Sequence, residues 1–337
     1  MHLGANVRVT KMGIGITLGL LCLLYFYMHR GPSYSSIDNR DVVSMKALLA
    51  GAIKAAEMGG IEVVSVHSNI HALNLASKGK TKEGVNDPVT AADYRSHCAM
   101  YQALINAFPK ITVISEELSV GCDKVDTPDL KETLKNSGQL DVGYDSPVNA
   151  NDITVWIDPL DATKEFTENL VQYVTTLVCV AVKGEPVMGI IHKPFSKETY
   201  WAWLNHGVST NLNVPKPKKG RTPVLIVSRS HAGGVHNVSK AKFGDDVQII
   251  SAAGSGYKSL EVAVGNATAY LHITAIKKWD ICAGAAIISS LGGQMTPLYS
   301  PPPIQFGATD PTFLSTGLLA TMCDHQWYMQ KLNLAGI

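Results

Sequence analysis

Two aspartates three apart, Asp158 and Asp161, flank a proline in the run Trp156-Ile-Asp-Pro-Leu-Asp-Ala-Thr-Lys164. The apolar stretch Ile153–Ile157 ahead of them reads as a strand. Pro159 has no N–H and a fixed φ, so the strand is expected to break there and turn. Such a turn aims Asp158, Asp161 and the Leu160 carbonyl oxygen at one place. Hard oxygen donors on a strand-end loop are what Mg²⁺ requires. Asp-x-x-Asp in a turn is common by itself, but three further segments repeat the pattern. Ile111-Thr-Val-Ile-Ser-Glu-Glu117 is a short strand ending in Glu116 and Glu117. Asn86-Asp-Pro-Val-Thr-Ala-Ala-Asp93 is a turn entering a helix, with Asp93 near its start. Lys277-Lys-Trp-Asp280 sets Asp280 just before a small-residue helix. Four loops ending in acids, each joined to an apolar element, read as one site.

On these residues the chain resembles the inositol monophosphatase superfamily, the Mg²⁺-dependent, lithium-sensitive phosphomonoesterases. The signatures are Trp156–Thr163 and Trp279–Ile288, with the 116–117 glutamates and Thr90-Ala-Ala-Asp93 beside them, over roughly residue 44 to the C-terminus. The resemblance implies a layered α/β fold, the five-layer αβαβα sandwich of the sugar phosphatases. It implies that Glu116, Asp158 and the Leu160 carbonyl hold one Mg²⁺, that Asp158, Asp161 and Asp280 hold a second, and that a third, weaker ion sits near Glu116. Asp93 and Thr163 would form the dyad that takes a proton from the attacking water. Plainer readings stand beside these roles. Asp280 alone is an ordinary N-cap, Thr163 alone satisfies turn backbone groups, and Glu117 is either a surface acid or a residue that orients a ligand.

Asp-Ala-Thr replaces the commoner Asp-Gly-Thr of the superfamily. Together with Ser228-Arg-Ser-His231, Gly254-Ser-Gly-Tyr-Lys258 and Ile276–Asp280, it is similar to the branch that acts on nucleotide bisphosphates. That implies a 3'(2'),5'-bisphosphate nucleotidase converting adenosine 3',5'-bisphosphate to AMP and phosphate in the Golgi lumen, where sulfotransferases release that nucleotide. Ser228 and His231 follow a strand and could bond a phosphate or ribose. Ser255 and Gly256 open a helix whose N–H groups suit an anion. Lys258, in the first turn, is badly placed for the helix dipole unless a phosphate sits there. In the branch, the matching Ser, His and Lys positions contact the 5'-phosphate and adenosine, and Thr163 also faces substrate. His272 stands where some relatives have arginine. The rivals are an inositol phosphate or inositol polyphosphate 1-phosphatase with the same metals, and a catalytically silent anchored scaffold. The intact acids oppose the scaffold.

The remainder of the chain must position this chemistry. Composition is ordinary, 46% hydrophobic and 17% charged with net charge +1 over 337 residues, and carries no basic excess for a nucleic-acid polymer. After a short tail (1–11), residues 12–28 are uncharged and apolar and read as an uncleaved transmembrane signal anchor in the Golgi membrane. A helix of that length spans about 26 Å, which suits a thin bilayer. A stalk (29–43) follows, then the phosphatase domain (44–337). Charges flanking the span are nearly balanced, so a lumenal domain rests on the resemblance; the sequons at Asn237 and Asn266 permit it. Cys98, Cys122, Cys179, Cys282 and Cys323 form an odd, irregular set that argues against a disulfide framework and against zinc, leaving room for a single bridge.

Within the domain, Ser44–Met58 reads as a helix stopped by Gly59-Gly60, and Asp93–Phe108 as a second. The polar insert 119–152 is expected to cover one edge of the site. Val174–Val182 and Val187–His192 form a hairpin around Lys183-Gly-Glu-Pro186. Val224–Ser228, Val247–Ser251 and Ala269–Thr274 read as strands. Helices are expected at Tyr257–Gly265, Ile281–Leu291 and Gly317–Leu332. Oligomeric state is left open, a homodimer included.

Overall fold

The computed structural model describes residues 41–69, 76–80, 86–119, 121–122, 129–212, 220, 222–230, 232–299 and 303–332. The expected tail and membrane span, most of the stalk, and His231 lie outside them. Helix α1 (Met45–His67) starts at Ser44, whose hydroxyl accepts the Ala47 N–H at 3.1 Å. It does not stop at Gly59-Gly60. A Cβ on Gly59 would lie 2.5 Å from Met100 Sδ, and one on Gly60 2.5 Å from the His192 ring. These glycines serve close approach rather than termination. Met100 belongs to α2 (Ala91–Ala107), which lies beside α1. The hairpin β1 (Ala76–Lys80) and β2 (Asn86–Val89) leads directly into α2.

A six-stranded sheet follows: β3 (Thr112–Ser115), β4 (Ile153–Asp161), β5 (Thr175–Val182), β6 (Glu185–Lys193), β7 (Glu198–Trp203) and β8 (Gly207–Val208), ordered β8-β7-β6-β5-β4-β3. Only β3 and β4 run parallel within it. The β5–β6 turn is made by Lys183 and Gly184, both at positive φ. The insert contributes α3 (Lys131–Lys135), and Thr163–Thr167 forms the short α4. A second sheet contains β9 (Val224–Ser228), β10 (Gln248–Ala252), β11 (Ala269–His272), β12 (Gln294–Pro297) and β13 (Leu318–Thr321), ordered β10-β9-β11-β13-β12. Its helices are α5 (Val235–Phe243), α6 (Ser255–Ala263), α7 (Lys278–Ser290) and α8 (His325–Leu332).

The period-two alternation of strands sorts side chains into layers. Trp156, Leu177, Cys179 and Ile191 face inward, where they meet Ile281 and Ile287 of α7 and Ile226, Tyr270 and Leu318 of the second sheet. Val155, Val178, Val180 and Ile190 face the other way, onto Leu48, Leu49, Met100 and Leu104 of α1 and α2. Leu225, Leu271 and Leu319 face outward onto Val235 of α5 and Tyr328 and Leu332 of α8. The order is helices, sheet, helices, sheet, helices, as the resemblance implied.

Several local expectations fail. The final helix spans only α8, because Leu318–Thr321 is a buried strand pairing β11 and β12. In the described part of the insert, Leu130 joins Met58, Ala99 and Ala103 on the outer helices, and residues 120 and 123–128 lie outside the described residues. Two disulfides form, Cys98–Cys122 and Cys179–Cys282. They span 24 and 103 residues of sequence, so spacing along the chain did not announce them. Cys323 is free.

Candidate active site

The DPLD segment does not break the strand. β4 continues to Asp161, and the ladder with β5 shifts register between Asp158, opposite Leu177, and Asp161, opposite Thr175. Pro159 sits in that bulge, where a missing N–H costs no ladder bond. Its carbonyl accepts the Ser96 hydroxyl at 2.6 Å, and the Leu160 N–H returns to Asp158 Oδ1 at 3.1 Å. Ala162 then takes φ 72°, where glycine would be at ease. A Cβ there costs about 1 kcal/mol, so the Asp-Ala-Thr spelling carries local strain. That turn starts α4 with Thr163.

Glu116, just beyond β3, Asp158, in the bulge, and Asp280, in the first turn of α7, each offer a ligand oxygen, all within 4.8 Å of one another. Asp280 lies inside α7 rather than before it: Lys277 is the N-cap, and its N–H is bound by the Asp280 carboxylate. Burial pushes the Asp158 carboxyl well above its ordinary range, and Glu116, Asp161 and Asp280 push it further. Asp280 is raised likewise, by burial and then by Glu116 and Asp161. Such a set destabilises itself as anions and is relieved by a cation. The donors therefore fit Mg²⁺, with the Leu160 carbonyl within reach of the same bulge.

Two lysines missed by the sequence reading sit on this cluster, both at Glu116: Lys277 Nζ at 3.0 Å and Lys78 Nζ at 3.2 Å. Lys78 also bonds Glu117, so Glu117 acts on its neighbour's partner rather than facing solvent alone. Burial draws the Lys78 ammonium down, but Glu116 and Glu117 overcome it and hold it above the usual range. The adjacency of Lys277 to Trp279 and Asp280 was visible; nothing in the 76–89 hairpin announced Lys78.

Beside the acids, Thr163 Oγ1 lies 2.9 Å from Asp93 Oδ1 and 3.0 Å from the Leu160 carbonyl oxygen. One hydroxyl proton serves one of these at a time. When Asp93 is ionised, Thr163 donates to it; when Asp93 is protonated, Asp93 donates and Thr163 turns to Leu160. The other Asp93 oxygen accepts both the N–H and the hydroxyl of Thr90 at 2.7 Å, a capping box for α2. Burial raises Asp93 to about 7 against the donors of Thr90.

Asp161 departs from the expected ligand set. Its Oδ1 accepts the Ser255 N–H at 3.1 Å, and its Oδ2 accepts the Gly256 N–H at 2.8 Å and the Thr175 hydroxyl at 3.0 Å. The N-terminus of α6 does hold an anion, but the anion is the protein's own. Glycine is required around it: a Cβ on Gly254 would lie 2.7 Å from the Tyr173 carbonyl, and one on Gly256 2.6 Å from Leu177. Lys258 is buried, donates to the Gly254 carbonyl at 2.7 Å and lies 5.1 Å from the Tyr270 ring centroid. Burial lowers its pKa to about 8, opposed by Asp161, Glu165 and Asp280. Its unfavourable place on the helix dipole is thus balanced first by Asp161.

Ser228 closes β9 and is nearly buried. His272, at the end of β11, is buried with Nε2 2.9 Å from the Thr274 hydroxyl. Asn237 and Asn266 are both exposed. A further group escaped the sequence reading entirely: Glu165, buried in α4, bonds Arg229 and Ser230. An acid two residues past Thr163 reads as helix surface, and no local pattern says otherwise.

Layer order and acid cluster together define the class, an α/β sandwich hydrolase built around facing carboxylates. The pattern of the inositol monophosphatase family matches residues 44–333, and the chain belongs to that family. It is 44% identical to "Putative inositol monophosphatase 3" of Drosophila melanogaster, across 98% of this chain and 95% of the relative. It is 43% identical to the "Golgi-resident adenosine 3',5'-bisphosphate 3'-phosphatase" of Mus musculus, across 97% of each. Among solved structures, the suhB protein of Bartonella henselae superposes with a TM-score of 0.61 at 20% identity, covering 87% of this chain and 99% of that one. The CysQ protein of Bacteroides thetaiotaomicron gives 0.58 at 23% identity, covering 83% and 98%. These two share the fold.

Proposed function

We propose that this chain is a Mg²⁺-dependent phosphomonoesterase that removes the 3'-phosphate of adenosine 3',5'-bisphosphate, leaving AMP and phosphate. The observation that carries the proposal is the convergence of Glu116, Asp158 and Asp280 within 4.8 Å beside the Thr163–Asp93 pair. Glu116, Asp158, Asp280 and the Leu160 carbonyl would hold two to three Mg²⁺ ions, with Asp161 at their edge. Bound there, the metal supplies charge neutralisation for the phosphate dianion and for the leaving oxygen.

The chain's own residues do the proton work. Thr163 accepts a hydrogen bond from the attacking water while donating to ionised Asp93, so the proton lost by water has a path to a carboxylate. With its pKa raised to about 7, Asp93 is matched to that task near neutrality. Ser228, with His231 three residues beyond, is the proposed contact for the distal phosphate and ribose. Ser255, Gly256 and Lys258 shape that wall and set its charge through Asp161.

Two names among the relatives favour different substrates, and the second reading, an inositol phosphate phosphatase, is kept on that ground. Phosphate release decides between them. The panel is adenosine 3',5'-bisphosphate, 3'-AMP, 5'-AMP and inositol 1-phosphate, with Mg²⁺ and with EDTA. Preference for the bisphosphate, lost in EDTA, is the expected result; preference for inositol 1-phosphate overturns the substrate assignment, and absence of metal-dependent release overturns both.

We place the domain in the Golgi lumen, held by the apolar segment 12–28, where it would clear the nucleotide left by sulfotransferases. The mouse relative is named as Golgi-resident, and two disulfides suit an oxidising compartment. Among the described residues no helix is long and apolar enough to cross a membrane; the segment 12–28 lies outside them.

A further inference from the structure

Thr163 opens α4 at the end of the first sheet, and Ser228 closes β9 in the second. Between the residues that follow them runs a polar contact that the reaction above does not use. The Glu165 side chain is 4% exposed, and its Oε1 accepts from Arg229 Nη1 at 3.1 Å and from the Ser230 hydroxyl. The same Arg229 nitrogen donates to Glu168 Oε2 at 2.7 Å, so α4 is gripped at both its first turn and its C-cap. The Arg229 backbone is itself tied down, its N–H donating to the Ala252 carbonyl at 2.9 Å.

A buried carboxylate is costly unless it is paired and hydrogen-bonded, and here the pairing crosses from one sheet's site residues to the other's. We propose that Glu165 and Arg229 form a positioning clamp, which sets the distance from Thr163 to the Ser228 wall and thereby the binding of the substrate part distal to the reacting phosphate. The clamp rests on the reading that both sides meet one substrate. Neither residue touches the reacting atoms. Their leverage is geometric, since displacement of a positioning group by about 1 Å can cost on the order of 10²-fold in rate.

The test uses the full chain with Glu165→Gln, Glu165→Ala, Arg229→Lys and the double variant Glu165→Ala/Arg229→Met. It reads KM and kcat on adenosine 3',5'-bisphosphate and on 3'-AMP, which lacks the distal phosphate, and the half-saturating Mg²⁺ concentration. Glu165→Ala is expected to raise KM for the bisphosphate at least about tenfold, while KM for 3'-AMP and the Mg²⁺ requirement stay within about twofold. Glu165→Gln and Arg229→Lys should keep part of the preference, and the double variant should be no worse than the worse single one. If KM for both nucleotides and the Mg²⁺ requirement move together, the contact is a staple of the fold and the clamp is refuted. Unchanged KM in every variant refutes it as well. Should the wild type prefer inositol 1-phosphate, the substrate assignment fails separately. The clamp is then judged by KM for that ester against the Mg²⁺ requirement, and an unchanged KM overturns it.

Discussion

Asp158 and Asp161 stand three apart at the end of one strand, both buried, yet their surroundings are opposed. Asp158 faces Glu116 and Asp280, and these like charges add to the effect of burial. Asp161 is also raised by burial, but Lys258, the Gly256 and Ser255 N–H groups and the Thr175 hydroxyl all oppose the shift. One carboxylate is therefore outweighed by like charges despite the opposing charge of Lys78 and invites a cation, while the other is satisfied by a helix terminus and a buried lysine. The residue type is shared; what the neighbours donate decides the role.

The largest expected effect breaks the acid cluster. Asp158→Asn should reduce metal-dependent phosphate release by at least about 10³-fold, because several kcal/mol of charge stabilisation depend on the ion held there. In EDTA the same variant should melt no lower than wild type, since it removes one of three mutually repelling charges. Release that survives substitution would remove Asp158 from the metal site.

Next comes the dyad. Thr163→Val should lower kcat by about 10²- to 10³-fold with Thr163→Ser recovering most of it, the range expected for loss of a positioned proton acceptor. A valine variant with full kcat would leave Thr163 as a turn residue only.

On the other side of the comparison, Asp161→Asn should destabilise the fold by about 3 kcal/mol, because Lys258 would be left buried without its nearest counter-charge. Thermal melting in EDTA, compared with Asp158→Asn, gives the contrast its clearest form: melting lowered by one substitution and not by the other, two changes of the same kind three residues apart. Equal melting shifts would erase the distinction.

The smallest effect is the pH dependence of the metal-free protein. Asp93, at about 7, and Asp158, Asp161 and Asp280 all have folded-state values above those of the unfolded chain. Their contribution is fully present at acid pH and is lost as pH rises through the folded values. The melting temperature in EDTA should therefore fall from about pH 4, the ordinary carboxylate range, to about pH 7, the folded value of Asp93, and Mg²⁺ should flatten that fall by binding the ionised form. A flat profile in EDTA would mean that the acids are compensated without metal.

Much of this was legible in the chain. Apolar runs and a hairpin turn announced β4, β5 and β6, and acids beside apolar elements marked Glu116, Asp158 and Asp280 as neighbours. Reading failed where a residue serves a partner far away in sequence. Gly59 and Gly60 carry the local signal of a helix stop, yet α1 runs through them because Met100 and His192 press on that face. Pro159 carries the local signal of a break, yet a bulge lets the strand continue. Leu318–Thr321 reads as helix and is strand, because pairing on both edges overrides weak local preference.

Periodicity and short acid-bearing motifs are local properties, and they carry the layered α/β character, the family and the residue types that could hold a cation and move a proton. Packing settles which carboxylates face one another and which are satisfied. Lys78 reaches Glu116 from a hairpin, Asp161 reaches α6 across 95 residues, and Arg229 reaches Glu165 across 64. Whether a buried charge needs a metal or already has its partner depends on groups brought together by packing, and no spacing along the chain encodes that directly.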